Sequence, residues 1–342
     1  MDVETKLEKR LELVKRNTVE VLTNEELVEL LKTKKEPIAY HGRAITGPLH
    51  IGHLIPLSKV FDFNRAGIKV KILLADIHAA LDDLKAKWEE LDKRAEYTRK
   101  CIELSFDWPK KLEFIKGSDF QLEKNYVMDI WKIATIATVV RTTRAASEVT
   151  RMKNPKTSEL VYPIMQALDE QYLDADIQWG GTDQRHLFAF AREYLPKIGY
   201  KKRIEIMTPL SASLFGSGTK MSSSIPDSVI KVYDSEESIK KKISKAYCPE
   251  KIAENNPIIQ IASMLIIPIE GKLSIKRDKK FGGDLDITSS EQLEELFIDG
   301  KLHPVDLKNS VSDYLIHKFS KVRKYFEKNN DLLEELGKEF LP

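Results

Sequence analysis

The sequence predicts an α/β chain: a parallel-sheet domain first, then a mainly α-helical one. Two apolar runs, Ile38–Tyr40 and Val70–Ala75, bracket a helix-length segment, which is a βαβ unit. The second run is almost entirely apolar, as a strand covered on both faces requires. After Tyr233 the chain turns lysine-rich and the apolar spacing is helical. Together these predict a Rossmann-type domain at 1–230, carrying a helical insertion at about 85–165, and a helical domain at 231–342.

Each element has its own local signal. Residues 1–35 read as two helices: Leu7, Leu11 and Val14 recur at helical spacing, and Thr23-Asn24-Glu25-Glu26 is a capping-box pattern ahead of Leu27, Leu30 and Leu31. After the strand at Ile38–Tyr40 comes a loop, His41–Pro48, then a helix from near Leu49 to Ala66 that Gly67 closes. From Trp88 to about Ile164 the pattern is mostly helical, with a strand candidate at Leu112–Ile115. Ile177–Gly181 reads as a strand ending in a glycine turn, followed by a helix from Gln184 to Tyr194. Lys220–Ser224 falls in a Gly/Ser-rich loop, and Ile239, Ile243 and Tyr247 mark a helix capped near Asp234.

Composition narrows the function classes. A chain of 342 residues, 42% hydrophobic and 32% charged, can bury two cores. Its longest strongly apolar stretch, Ile258–Ile269, is interrupted by Gln260, Ser263 and Pro268 and falls short of the ~20 residues of a membrane span. The first residues alternate charges with leucines and hold no apolar signal core, so a cytoplasmic chain with no membrane partner is expected. Cys101 and Cys248 stand far apart without metal-ligand spacing, so neither a disulfide framework nor a metal site is expected. The 55 basic and 53 acidic residues leave a net charge of +2, which is neutral on nucleic acid, since phosphate contacts need only a local basic surface.

Three constellations carry chemistry. His50-Ile51-Gly52-His53 lies where the first strand's loop enters its helix, where exposed N–H groups and the helix dipole favour phosphates. Two histidines at i and i+3 share a face and can donate to phosphate oxygens as a leaving group gains charge. Lys220-Met221-Ser222-Ser223-Ser224 offers a lysine and several hydroxyls suited to a departing pyrophosphate, although alone it reads more readily as a solvated surface loop. Tyr162, Gln166 and Asp169, at i, i+4 and i+7, align a phenol, an amide and a carboxylate on one helical face. That stripe can recognise an amino acid or simply face water, but the adjoining Ile164, Ala167 and Leu168 set the helix against a core. Gly180-Gly181-Thr182-Asp183-Gln184-Arg185 adds a close-approach glycine turn, a carboxylate for a ribose diol and an amide.

His50–His53 followed by Lys220–Ser224 is the arrangement of class I aminoacyl-tRNA synthetases, and the chain resembles the tyrosyl-tRNA synthetases of archaeal and eukaryotic kind. The matching stretches are Tyr40–His53, Leu74–Ala79, Phe114–Leu122, Tyr162–Tyr172, Gly180–Arg185, Lys220–Ser224, Lys280–Leu285 and Leu302–Lys308, in order from about residue 15 to 320. The resemblance implies activation of tyrosine by ATP, carried with Mg2+, and transfer to tRNA. It makes His50, His53, Lys220 and Ser222 catalytic. Tyr40 and Asp169 would meet the phenol hydroxyl, and Tyr162, Gln166 and Gln184 the α-amino group. Gly42, Gly52, Gly181, Asp183 and Met221, with His50, His53 and Lys220, would contact the nucleotide. Phe281, His303 and Asp306 match positions at the first anticodon base, Arg185 lies near the acceptor end, and Arg141 and Arg144 are candidates for the first acceptor pair. It also implies a homodimer built through the helical insertion.

One stretch departs from the pattern: Arg43-Ala44-Ile45-Thr46 stands where many archaeal members carry Glu-Pro-Ser. Phe281 and Asp306 keep a second reading, a core aromatic and a helix N-cap. Three rivals are weighed. A tryptophan enzyme of the same fold has no phenol oxygen for Tyr40 and Asp169. A small-molecule adenylyltransferase lacks the Lys220–Ser224 loop. A non-catalytic tRNA-binding relative is opposed by the intact motifs.

Overall fold

The computed structural model describes residues 3–150, 156–221 and 225–341. The chain divides into two compact units, one of residues 1–47, 62–99 and 109–209, the other of 48–61, 100–108 and 210–342.

The first unit is built on a six-stranded sheet of β1 (Glu20–Leu22), β2 (Ile38–Ala44), β3 (Lys69–Ala75), β4 (Glu113–Lys116), β5 (Ile177–Gly181) and β6 (Ile204–Thr208). Their spatial order is β1-β6-β5-β2-β3-β4, with β1 antiparallel to β6 and every other pair parallel. Leaving aside the edge strand β1, this is the 3-2-1-4-5 order of a Rossmann sheet, with its switch point between β2 and β5. Ligands of such sheets bind past the carboxyl ends of the strands at that crossover. Tyr40 pairs in register with Gln178 there, so the crossover sits beside two stretches already singled out.

β2 runs four residues further than expected because His41–Ala44 continue the ladder with Ile72–Ala75. β1 and β6 were not foreseen. The helix Thr157–Tyr172 buries Ile164, Met165, Ala167 and Leu168 against Leu187, Phe190, Ala191 and Tyr194 of the helix Arg185–Tyr194. Leu168 is fully buried, and truncation to alanine there costs about 2–5 kcal/mol. The expected capping box forms: Glu26 N donates to Thr23 Oγ1 and Thr23 N to Glu26 Oε2, both at 3.3 Å, opening the helix Asn24–Thr33. The expected helix from Leu49 to Ala66 is instead two, Ile51–Leu57 and Lys59–Arg65, with Pro56 just before the break. Gly67 closes the second at φ +75°, a conformation open to glycine.

In the second unit the apolar stretch at 258–269 forms consecutive helical turns, Pro257–Ile261 through Ile267–Glu270, that are buried almost throughout. It is the core of this unit, and among the described residues no helix is long and apolar enough to cross a membrane. The helix Glu236–Lys245 is capped by Ser235, which accepts from Ser238 N at 3.1 Å, and Tyr247 lies beyond its end. Two small hairpins, β7 (Ala212–Ser213) with β8 (Gly216–Lys220) and β9 (Leu273–Ile275) with β10 (Leu285–Ile287), complete it beside the helices Ser290–Ile298 and Pro304–Lys318.

Candidate active site

In the first unit, β2, β5 and the helix Thr157–Tyr172 bring the expected amino-acid group together. Tyr40 is fully buried on β2, and its hydroxyl donates to the Gln166 carbonyl at 3.4 Å. Asp169 is only 1% exposed. Its Oδ1 accepts from Gln121 Nε2 at 2.7 Å and from the Tyr126 hydroxyl at 2.8 Å. Its Oδ2 accepts no hydrogen bond among the described residues and has His78 Nε2 at 3.8 Å. Burial raises this carboxyl to about 8, against the pull of the Gln121 and Tyr126 hydrogen bonds, and Asp76 raises it further. Burial likewise lowers His78 to about 4, so its imidazole is neutral. The result is a buried acid with one oxygen tied down and the other unused.

The α-amino and nucleotide candidates join through a short relay. Gln166 Nε2 donates to Gln184 Oε1 at 3.1 Å, and Gln184 Nε2 reaches Asp183 Oδ1 at 3.5 Å. Tyr162 is buried with its ring edge-on to His78, centroids 4.6 Å apart. Gly180 is obligatory in this packing: a Cβ there would stand 2.9 Å from Gln184 Cγ and 3.2 Å from Phe188 Cζ. Gly42 and Gly181 lie at the carboxyl ends of β2 and β5, while Arg185, half exposed, is ion-paired with Glu20 at 2.8 Å. Arg141 pairs with Glu193 at 2.7 Å.

The phosphate motif belongs to the second unit. His50 is the N-cap of the helix Ile51–Leu57, its Nδ1 accepting from Gly52 N at 3.2 Å. The His50 and His53 rings lie 3.6 Å apart, and His50 N donates to His53 Nδ1 at 3.3 Å. A Cβ on Gly52 would stand 3.0 Å from both His50 Cε1 and Met221 Sδ. The glycine thus sets the close approach of His50–His53 to Met221. Lys220 ends β8; its side chain, and Ser222–Ser224, lie outside the described residues.

Farther along that unit, Phe281 stands 63% exposed in the turn after Lys279, with the Lys280 ammonium 4.9 Å from its ring centre. This excludes the core-aromatic alternative. His303, not Asp306, caps the helix Pro304–Lys318, accepting from Val305 N at 3.2 Å. That excludes the N-cap alternative for Asp306, which sits in the first turn. Arg277 ties the two segments together through Gly283 O at 2.6 Å and Lys301 O at 2.7 Å.

Sequence reasoning left His78, Gln121 and Tyr126 without roles. The first two lay in stretches already noted for the resemblance; Tyr126 carried no signal. Arg43 was noted only as a departure: it is the penultimate residue of β2, with a buried Nε that has no hydrogen-bond partner among the described residues.

Comparison with known proteins shows the family. The profile of the family described as tRNA synthetases class I (W and Y) matches residues 32–320. The tyrosine–tRNA ligase of Methanobrevibacter smithii is 45% identical over 94% of this chain and 99% of its own. The cytoplasmic tyrosine–tRNA ligase of Gallus gallus is 41% identical over 93% of this chain, the match spanning 61% of that longer protein. The structure of the Archaeoglobus fulgidus tyrosyl-tRNA synthetase complexed with L-tyrosine aligns with a TM-score of 0.88 at 42% identity, covering 93% of this chain and 99% of that one. The chain belongs to the class I tRNA synthetases of the tryptophan and tyrosine group, of the archaeal and eukaryotic tyrosyl type.

Proposed function

We propose that this chain is a tyrosine–tRNA ligase that activates L-tyrosine with ATP and transfers it to the 3′ end of tRNA(Tyr). The observation that carries this is Asp169: a buried carboxyl, oriented by Gln121 and Tyr126, whose other oxygen accepts no hydrogen bond among the described residues, on the helix whose Gln166 carbonyl takes the Tyr40 hydroxyl. Such an arrangement suits a donor hydroxyl at the end of an aromatic side chain. The indole of tryptophan brings no such hydroxyl, so no feature here favours the tryptophan reading.

In the first step a carboxylate oxygen of tyrosine attacks the α-phosphorus of ATP. The bond to the bridging oxygen breaks, and pyrophosphate leaves with the electron pair. Mg2+ arrives with ATP and belongs to that substrate. In the second step a terminal ribose hydroxyl of tRNA takes the tyrosyl group and AMP departs. Tyr162, Gln166 and Gln184 hold the α-ammonium, a role supported by the Gln166–Gln184–Asp183 relay. Gly42, Gly181 and Asp183 approach the nucleoside. His50, His53, Lys220 and Ser222 act on the triphosphate with Gly52 and Met221 beside them, a reading supported by the tight His50–Gly52–Met221 packing. Positioning and charge stabilisation carry the rate, with no protein nucleophile.

Phe281, His303 and Asp306 read the first anticodon base, aided by Arg277, and Arg185 contacts the acceptor end. The exposure of Phe281 supports stacking on an unpaired base. A second copy covers the apolar surface formed by Met128, Trp131, Ile136, Val139 and Val140, of which Val140 is 79% exposed. The cytoplasm, where charged tRNA is used, is its place. Charging of tRNA(Tyr) with labelled tyrosine, dependent on ATP, tests the proposal; absence of charging with tyrosine but not with tryptophan would overturn it.

A further inference from the structure

We propose that Arg43 is a further catalytic residue, a guanidinium that holds the anion where the amino-acid carboxylate and the α-phosphate meet. The proposal rests on the amino-acid activation described above. Arg43 is the penultimate residue of β2, paired in register with Leu74, at the carboxyl end of a strand flanking the crossover. That end of the sheet is where a ligand binds.

The guanidinium lacks what a structural arginine has. Its Nε is sealed from solvent with no acceptor among the described residues. The side chains whose charge couples to it are Tyr97, Tyr162 and His41, none of them a carboxylate. The buried Arg94 and Arg203 of this unit are, by contrast, hydrogen-bonded through Nε and at least one terminal nitrogen. Arg94 donates to Glu90 at 3.0 Å and to Thr46 O at 3.0 Å, and Arg203 donates to Ala175 O at 2.7 Å and to Gln171 Oε1 at 2.6 Å. Arg43 is half-buried, and sealing one of its guanidinium nitrogens without an acceptor is costly, a cost met where a ligand supplies the counter-charge.

The surroundings fix the group rather than neutralise it. Tyr97 is fully buried, Ile45 anchors the following residue pair in the core, and Arg94 pins the Thr46 carbonyl. Arg43 stands three residues beyond Tyr40 on the same strand, toward the carboxyl end, and Tyr162, the candidate ammonium partner, feels its charge, which is consistent with a place near the amino-acid backbone end. Activation brings two anions together there: a carboxylate oxygen bonds to the α-phosphorus while the bond to the pyrophosphate oxygen breaks, with no proton moved. A fixed cation at that junction lowers the repulsion on approach and stabilises the crowded phosphorus centre.

The test uses Arg43→Met and Arg43→Lys in the full chain. Removing one preorganised charge-stabilising donor lowers kcat for tyrosine-dependent ATP–pyrophosphate exchange by about 10²-fold, with partial recovery in the lysine variant. Tyrosinol, which has no carboxylate, binds Arg43→Met as it binds wild type, which certifies the fold of the pocket. If tyrosine binding without ATP weakens while tyrosinol binding holds, the anion is the carboxylate; if both hold and kcat falls, it is the α-phosphate. Exchange kinetics and tyrosine affinity both within twofold of wild type in Arg43→Met overturn the proposal. A wild-type chain without tyrosine-dependent exchange overturns the activation reading instead.

Discussion

Replacing Asp169 by alanine isolates the group that reads the hydroxyl. Asp169 is buried and orients one oxygen through Gln121 and Tyr126, so the variant removes the acceptor without reaching the ammonium or phosphate groups. Above pH 8, where the carboxyl that burial raises to about 8 is ionised, a hydrogen bond to this charged partner contributes about 1.5–3 kcal/mol. At about 1.36 kcal/mol per decade that is roughly a 10- to 150-fold loss in kcat/KM for tyrosine. Stability changes less. Tyr126 keeps the Met165 carbonyl at 2.8 Å, whereas Gln121 Nε2 keeps only His78 Nδ1 at 3.4 Å. Relief of a buried carboxyl offsets the loss at Gln121, leaving unfolding within about 2 kcal/mol of wild type. Pyrophosphate exchange with tyrosine and with phenylalanine measures the effect, and thermal unfolding checks the fold. Only tyrosine use falls, so the ratio of the two drops by the same factor. Unchanged tyrosine kinetics, or equal losses for both amino acids, would refute the reasoning.

Four further outcomes follow from the same geometry. Because burial raises Asp169 to about 8, kcat/KM for tyrosine climbs as the carboxylate ionises and levels off above that pH, while His78, lowered to about 4, stays silent; a flat profile from pH 6 to 9 contradicts this. The same shift makes the folded state bind the proton more tightly than the unfolded, so this group's contribution to stability is lost as pH rises from its ordinary 3.8 to about 8, and Asp169→Ala flattens that slope in urea titrations. Gly180→Ala pushes Gln184 aside and raises KM for tyrosine about tenfold with kcat less affected, since forced repacking typically costs 1–3 kcal/mol; normal tyrosine KM would show that Gln184 is not a contact. Phe281→Ala lowers tRNA charging about tenfold while pyrophosphate exchange stays normal, as loss of one base-stacking platform predicts; equal losses in both assays would point to misfolding.

Legibility in the sequence followed local contrast. β3 was plain because Val70–Ala75 is nearly all apolar, and the helix Asn24–Thr33 because Thr23 and Glu26 form a reciprocal cap. β6 was hidden by Glu205, its second residue, a buried carboxyl raised first by burial and then by Glu170 on the facing helix. Two such acids cannot both ionise in that setting, so the pair retains a proton, a tertiary arrangement that no alternation pattern announces. β1 is three residues on a sheet edge, too short to show a period. In the site, the i, i+4, i+7 stripe placed Tyr162, Gln166 and Asp169 on one helix, since helical spacing is local. Gln121 and Tyr126 reach Asp169 from 48 and 43 residues away, and Arg277 joins the Phe281 turn to the His303 helix, so only the fold reveals them.

The central claim is that the buried carboxylate and Tyr40 select a phenol hydroxyl. It is tested most directly by the ratio of kcat/KM for tyrosine over phenylalanine in ATP–pyrophosphate exchange by the wild-type chain. Sites built to bond a substrate hydroxyl reach discrimination of about 10⁴–10⁵ against the deoxy analogue, tyrosyl-tRNA synthetases being the standing example, and that order is expected here. A ratio near unity, or exchange with tryptophan matching that with tyrosine, would contradict the account.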